Sequence, residues 1–149
     1  MENGFKIIGI SVRTTNENSQ AIADLGRLWN QFISENIVEK IPNKISNDVL
    51  AIYTDYKSNF EEEYQTIIGV PVSSIDKIPE GLIGREFPKE NFKKFIAKGE
   101  IPESVGKTWM EIWQNDEELN RKYSYDFEFY GAKSQNGEES EVEIFIAVN

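Results

Sequence analysis

Ile52-Tyr53-Thr54-Asp55-Tyr56-Lys57-Ser58 and Phe127-Glu128-Phe129-Tyr130-Gly131-Ala132-Lys133-Ser134 are the two stretches whose comparison decides the fold. Both are rich in aromatic and β-branched residues and both run into a small polar turn, as hairpin strands do. Side chains alternate between faces along a strand, so each stretch sorts itself. Phe127 and Phe129 share one side, and Asp126, Glu128 and Tyr130 the other. Leu50 and Ile52 share a side, leaving Tyr53 and Asp55 opposite.

The flanking segments repeat as well. Residues 5–14 read as a strand, and the polar run Thr14 to Ser19 ends it and offers an N-cap. A helix follows over about 19–35, with Ile22, Leu25, Leu28, Trp29 and Phe32 as its apolar stripe. Strands follow at 48–56 and 63–73. A further short strand is placed at 81–87. Residues 91–98 then read as a strand. A helix begins near Pro102 with Val105, Trp109, Ile112 and Trp113 as its stripe, and strands follow at 124–131 and 141–148. Strand, helix, strand, strand over 5–73 thus recurs over 91–149. The pair Leu28-Trp29 of the first helix matches either Thr108-Trp109 or Ile112-Trp113 of the second. The prediction is one domain over 1–149 of the α+β class. It is a duplicated βαββ unit with pseudo-two-fold symmetry, two main helices and a mostly antiparallel sheet. A groove is expected along the pseudo-two-fold axis.

Composition narrows the function. The 149 residues carry a net charge of −10, which disfavours direct binding of nucleic acid or of an anionic membrane surface. There is no cysteine and no histidine, so thiol and imidazole nucleophile–base pairs and the usual zinc ligands are excluded. No EF-hand spacing, GxxxxGK[ST] or GxGxxG is present, and neither a metal nor a cofactor is expected. The N-terminus lacks a secretory pattern and no run reaches 18 apolar residues, so the default expectation is a cytoplasmic protein.

If each strand turns its aliphatic set toward the helices, the face away from them carries Glu128, Tyr130, Tyr53 and Phe145. Aromatic rings around a carboxylate suit an organic cation, through cation–π attraction and a counter-charge. The plainer readings are a solvated strand glutamate and half-buried sheet tyrosines. Trp29 is assigned to core packing. Trp109 and Trp113 cannot both be fully buried on one side, so one of them reaches the groove edge. The acidic runs Glu61-Glu62-Glu63 and Glu138-Glu139 read as solvated turns.

Several segments together resemble the GyrI-like effector-binding superfamily, and within it the stand-alone integron-associated effector-binding proteins. They are Ile22 to Phe32, Tyr53-Thr54-Asp55-Tyr56, Tyr64, Ile68-Gly69, Ile78-Pro79-Glu80-Gly81, Lys98-Gly99, Trp109 to Trp113, and Tyr123 to Tyr130. The most specific is Asp126-Phe127-Glu128-Phe129-Tyr130 following a Trp-bearing helix. Relatives often place Gly before the tyrosine at Tyr64; Glu63 stands here. The resemblance implies a ligand groove between two βαββ halves, with Glu128 pairing a cationic, lipophilic compound among aromatics. Tyr53, Tyr130 and Trp113 are implied as its walls, and Trp109 is a further candidate for ligand contact. It also implies drug or effector sensing in transcription regulation, with DNA binding supplied by a partner protein, since no helix-turn-helix pattern flanks residues 5–148. Two alternatives stand beside binding. One is hydrolysis of electrophilic drugs with water activated by Glu128; the other is a protein-interaction role like that of gyrase inhibitors.

Overall fold

β-Branched and apolar runs build seven strands, and the two amphipathic stripes build the two long helices. In a computed structural model describing residues 4–149, the chain opens with β1 (Phe5–Thr14), α1 (Gln20–Ser34) and α2 (Ile37–Lys40). β2 (Val49–Thr54), β3 (Tyr64–Val72) and β4 (Ile83–Phe87) follow. The second half runs through β5 (Phe92–Lys98), α3 (Glu103–Gln114), α4 (Asp116–Leu119), β6 (Tyr125–Tyr130) and β7 (Glu141–Ala147). β1 ends in the polar cluster as anticipated. Ser19, at the start of α1 with φ 59, makes no side-chain cap; the Thr14 hydroxyl instead donates to Asp24 (2.8 Å), in the first turns of the helix.

The strands form one antiparallel sheet in the order β4-β1-β3-β2-β6-β7-β5. β1-β3-β2 is mirrored by β5-β7-β6, with β4 added at one edge. The mirror relation passes between β2 and β6, where Ile52 pairs with Phe127, the residues that head the two matched stretches.

Consecutive strands β4 and β5 lie at opposite edges, and this shapes the sheet. Five residue steps from Phe87 to Phe92 span at most ~18 Å, whereas six flat inter-strand gaps would need ~29 Å. The sheet therefore curls until its edges approach, and aromatics fill the curl. Phe87 and Phe92 lie 4.8 and 5.4 Å from the Tyr125 ring, Phe5 lies 5.5 Å from Phe127, and Phe145 stacks on Phe127 at 4.6 Å. Gly9 and Gly69 face each other between β1 and β3 inside this curl. A Cβ at Gly69 would meet the Ile8 carbonyl oxygen at 2.4 Å, so neither strand can carry a side chain there.

The helices cover the other face. Leu28 and Phe32 of α1 pack with Ile8, Ile10, Ala51, Ile68 and Val70; Val105 and Ile112 of α3 pack with Ala97, Val142, Ile144 and Ile146. Ile22, expected in the core stripe of α1, is 77% exposed.

The expected face assignment is corrected at two points. Leu50, Ile52, Phe127 and Phe129 point into the aromatic curl, away from the helices. Tyr53, Glu128 and Tyr130 therefore lie beneath the helices. Phe145 does not join them, because directly paired residues share a face. Glu128 pairs with Ile144 and Phe127 with Phe145, which puts Phe145 on the opposite side of the sheet from Glu128.

Candidate functional site

α1 and α3 flank a groove of about 1070 Å³ above the two central strands. Its floor holds Tyr53 from β2 and Glu128 and Tyr130 from β6; Trp29 and Trp109 line its walls. Trp29 meets Tyr130 edge-on at 5.0 Å, and Trp109 meets Tyr53 edge-on at 5.4 Å, so each helix sets its tryptophan on a tyrosine of the other half. Trp113 lies farther out, stacked on Phe60 with centroids 5.5 Å apart. Of the two tryptophans on α3, then, Trp113 is the one toward the edge. The mouth is apolar as well: Ile22, Ile33 and Met110 line it and are each more than half exposed.

Glu128 is only 2% exposed. Three neutral donors hold it. Tyr53 Oη and Trp109 Nε1 both donate to Oε2, at 2.9 and 2.6 Å, and Tyr130 Oη donates to Oε1 at 2.6 Å. Burial pushes its carboxyl above the ordinary range, and the three hydrogen bonds pull the other way. Burial and then the neighbouring Glu128 charge push both tyrosines well above their ordinary range, so they remain protonated donors. Among the described residues no lysine or arginine pairs with Glu128.

Asp126, two residues earlier on the same face, is fully buried and has a cation. Arg121 Nη2 donates to it at 2.8 Å, Tyr56 Oη and the Ala147 amide donate to it too, and Arg121 also reaches Asp116. Burial raises the Asp126 carboxyl, and Arg121 with these donors opposes that rise. The Arg121 guanidinium lies 4.3 Å from the Tyr123 ring centroid. Arg121 also lines the groove, with its guanidinium 5.8 Å from the Trp109 ring centroid, but its charge is paired with Asp126 and Asp116. Of the two buried carboxylates among the described residues, Glu128 is the one without a counter-charge, and it faces the groove.

A family model described as integron-associated effector binding protein matches residues 2–148. The chain belongs to that family. Its relatives include a candidate transcriptional regulator of Bacillus subtilis (strain 168), YobU, 26% identical over 96% of this chain and 91% of its own length. Among solved structures, the integron cassette protein VCH_CASS2 from the mobile metagenome of Vibrio cholerae is 31% identical. It has a TM-score of 0.75, covering 99% of this chain and 92% of that one. SAV2435, solved bound to tetraphenylphosphonium, has a TM-score of 0.79 at 18% identity, covering 98% of this chain and 89% of its own; it shares the fold. Family and fold thus agree with the effector-binding fold read from the sequence.

The structure brings together five of the six residues singled out in the sequence: Glu128, Tyr130, Tyr53, Trp109 and Trp113 line the groove, and Phe145 does not. Trp29, assigned to core packing, does pack against the core beneath α1 and is also a groove wall. Arg121 and Asp126 carried no assigned role. The signal for Trp29 was present. A spacing of 80 residues matches Leu25 with Val105, Gly26 with Gly106, Trp29 with Trp109 and Phe32 with Ile112. That settles the open alternative in favour of Thr108-Trp109. Arg121 lies five residues from each of its partners, Asp116 and Asp126, a spacing that neither the helix nor the strand period brings together. In the β2–β3 hairpin, the left-handed position is Asp55 (φ 52), not Glu63, so the Glu in place of Gly needs no unusual backbone.

Proposed function

We propose that this chain is an effector-binding domain that takes lipophilic organic cations into the groove between α1 and α3, with Glu128 as counter-charge and Trp29, Trp109, Tyr53 and Tyr130 as walls. One observation carries the reading: a carboxylate 2% exposed at the floor of an apolar groove, satisfied by three neutral donors and, among the described residues, by no cation. A buried carboxylate is costly unless paired. A bound cation supplies the pairing, and the rings add area and cation–π attraction. Membership of an effector-binding family supports the same reading, as does a shared fold with a protein solved bound to a lipophilic cation. The output is effector sensing in transcription regulation, with DNA binding supplied by a partner. Catalysis fits less well, because the Tyr53 and Tyr130 hydroxyls spend their protons on Glu128 and leave none for a leaving group.

The test is titration calorimetry with tetraphenylphosphonium and tetraphenylborate, which have nearly the same shape and opposite charge. Wild type should bind the cation and not the anion. Glu128→Gln should weaken the cation roughly 10–100-fold, the worth of one charge-assisted contact. Equal affinity for both ions, or an unchanged affinity in Glu128→Gln, overturns the reading.

A further inference from the structure

Gly26 lies mid-way along α1 and Gly106 in the first half of α3. They are 80 residues apart, the spacing that superposes Trp29 on Trp109 and Ile33 on Trp113, and all six of these residues line the groove. Glycine inside a helix is unfavourable relative to alanine, so each needs a reason. Packing offers none, for a Cβ at either position would meet nothing within 4 Å. The backbone offers none either, since neither has a positive φ. Gly9 and Gly69 show the contrast, where a Cβ would collide with the neighbouring strand. The same costly choice therefore occurs at matched places on both walls, with open space in front of each. That space opens onto a groove whose floor holds an uncompensated carboxylate.

We infer that Gly26 and Gly106 are the specificity-determining residues that set the width of the groove, keeping both walls bare so that a bulky, three-dimensional cation can enter between the helices. A side chain at either position narrows the groove to flat or slender cations. The inference rests on the binding function proposed above and adds the shape of the ligand to its charge.

The test compares two monocations, tetraphenylphosphonium, which is globular, and 10-methylacridinium, which is planar. Titrations are run on wild type, Gly26→Leu, Gly106→Leu and the two alanine variants. The leucine variants should weaken tetraphenylphosphonium by about tenfold or more, as overpacking a filled site does, and leave the planar cation within about threefold. The alanine variants, free of ligand, should melt higher than wild type, because helix propensity rises with no clash. Equal losses for both cations, no loss for either, or alanine variants that melt lower each overturn the inference. Failure of wild type to bind either cation is a different result: it overturns the binding function itself, and this inference with it.

Discussion

Tyr53 and Glu128 each stand one residue beyond the Ile52–Phe127 pair at the centre of the sheet, on opposite strands, and the hydroxyl of one donates to the carboxylate of the other at 2.9 Å. They are equivalent positions in the two halves. The duplication has placed a phenol at one and an acid at the other, so the pseudo-symmetric floor is chemically polarised.

This arrangement makes stability depend on pH in a defined direction. Burial raises the Glu128 carboxyl above its ordinary value of 4.5 in the folded state. A raised group contributes stability that is complete below its unfolded value and is lost as pH rises through its folded value, by about 1.4 kcal/mol per unit of displacement. Glu128→Gln mimics the protonated acid and lacks this dependence; Asp126 is shifted in the same direction but is common to both proteins. Ligand-free wild type should therefore gain on the Gln variant as pH falls from neutral toward 4.5, read by urea denaturation. A stability difference that stays flat over that range contradicts the buried-acid description.

Cation binding should run the other way with pH. Protonating Glu128 removes the counter-charge, so affinity for tetraphenylphosphonium should fall over the same descent in wild type and stay nearly level in Glu128→Gln. Titrations at three pH values decide it, and parallel profiles for the two proteins would reject Glu128 as the titrating group.

Trp109→Phe keeps most of the ring and removes the Nε1 donor 2.6 Å from Glu128. A hydrogen bond to a charged group contributes about 1.5–3 kcal/mol, and the variant should lose that much at neutral pH. The loss should shrink in acid, where the carboxyl carries its own proton. A loss of equal size at both pH values would assign the effect to ring packing instead.

The Arg121–Asp126 pair should behave as structure. Arg121→Met leaves a fully buried carboxylate without its cation and should cost about 3–5 kcal/mol in chemical denaturation. Adding Asp126→Asn removes the stranded charge and should recover part of that loss. If the double variant is no more stable than Arg121→Met, the two groups do not act as a pair.

Gly69→Ala puts a methyl group 2.4 Å from the Ile8 carbonyl oxygen, where backbone and not a flexible side chain must move. Overpacking of this kind costs about 1–3 kcal/mol or more. The variant should melt well below wild type, and an unchanged melting temperature would show that β1 and β3 can separate without penalty.

How much was legible follows from the range of each interaction. Alternation along 125–131 grouped Glu128 with Tyr130 and set them against Phe127, because the strand period is a local property of the backbone. The 3.6-residue stripes located both helices. The recurrence of element order located the groove, because a repeated unit must meet its copy across an axis. Charge and the absence of cysteine and histidine narrowed the chemistry from composition alone.

Local pattern could not say which face of a strand meets a helix. Both faces of this sheet are buried, one by helices and one by its own curl, so aliphatic and aromatic sets each have an interior to occupy. Register decided it, pairing Glu128 with Ile144 and leaving Phe145 on the far side. The same holds for charge. Sequence placed Asp126 and Glu128 on one face as equals, and only the path of the connection from α4 into β6 gave Arg121 to one and left the other open to the groove. The sequence by itself determined the elements, their duplication and the residue types at the floor. Tertiary structure alone decided which carboxylate lacks a partner, because a counter-charge is a contact between residues that no local period brings together.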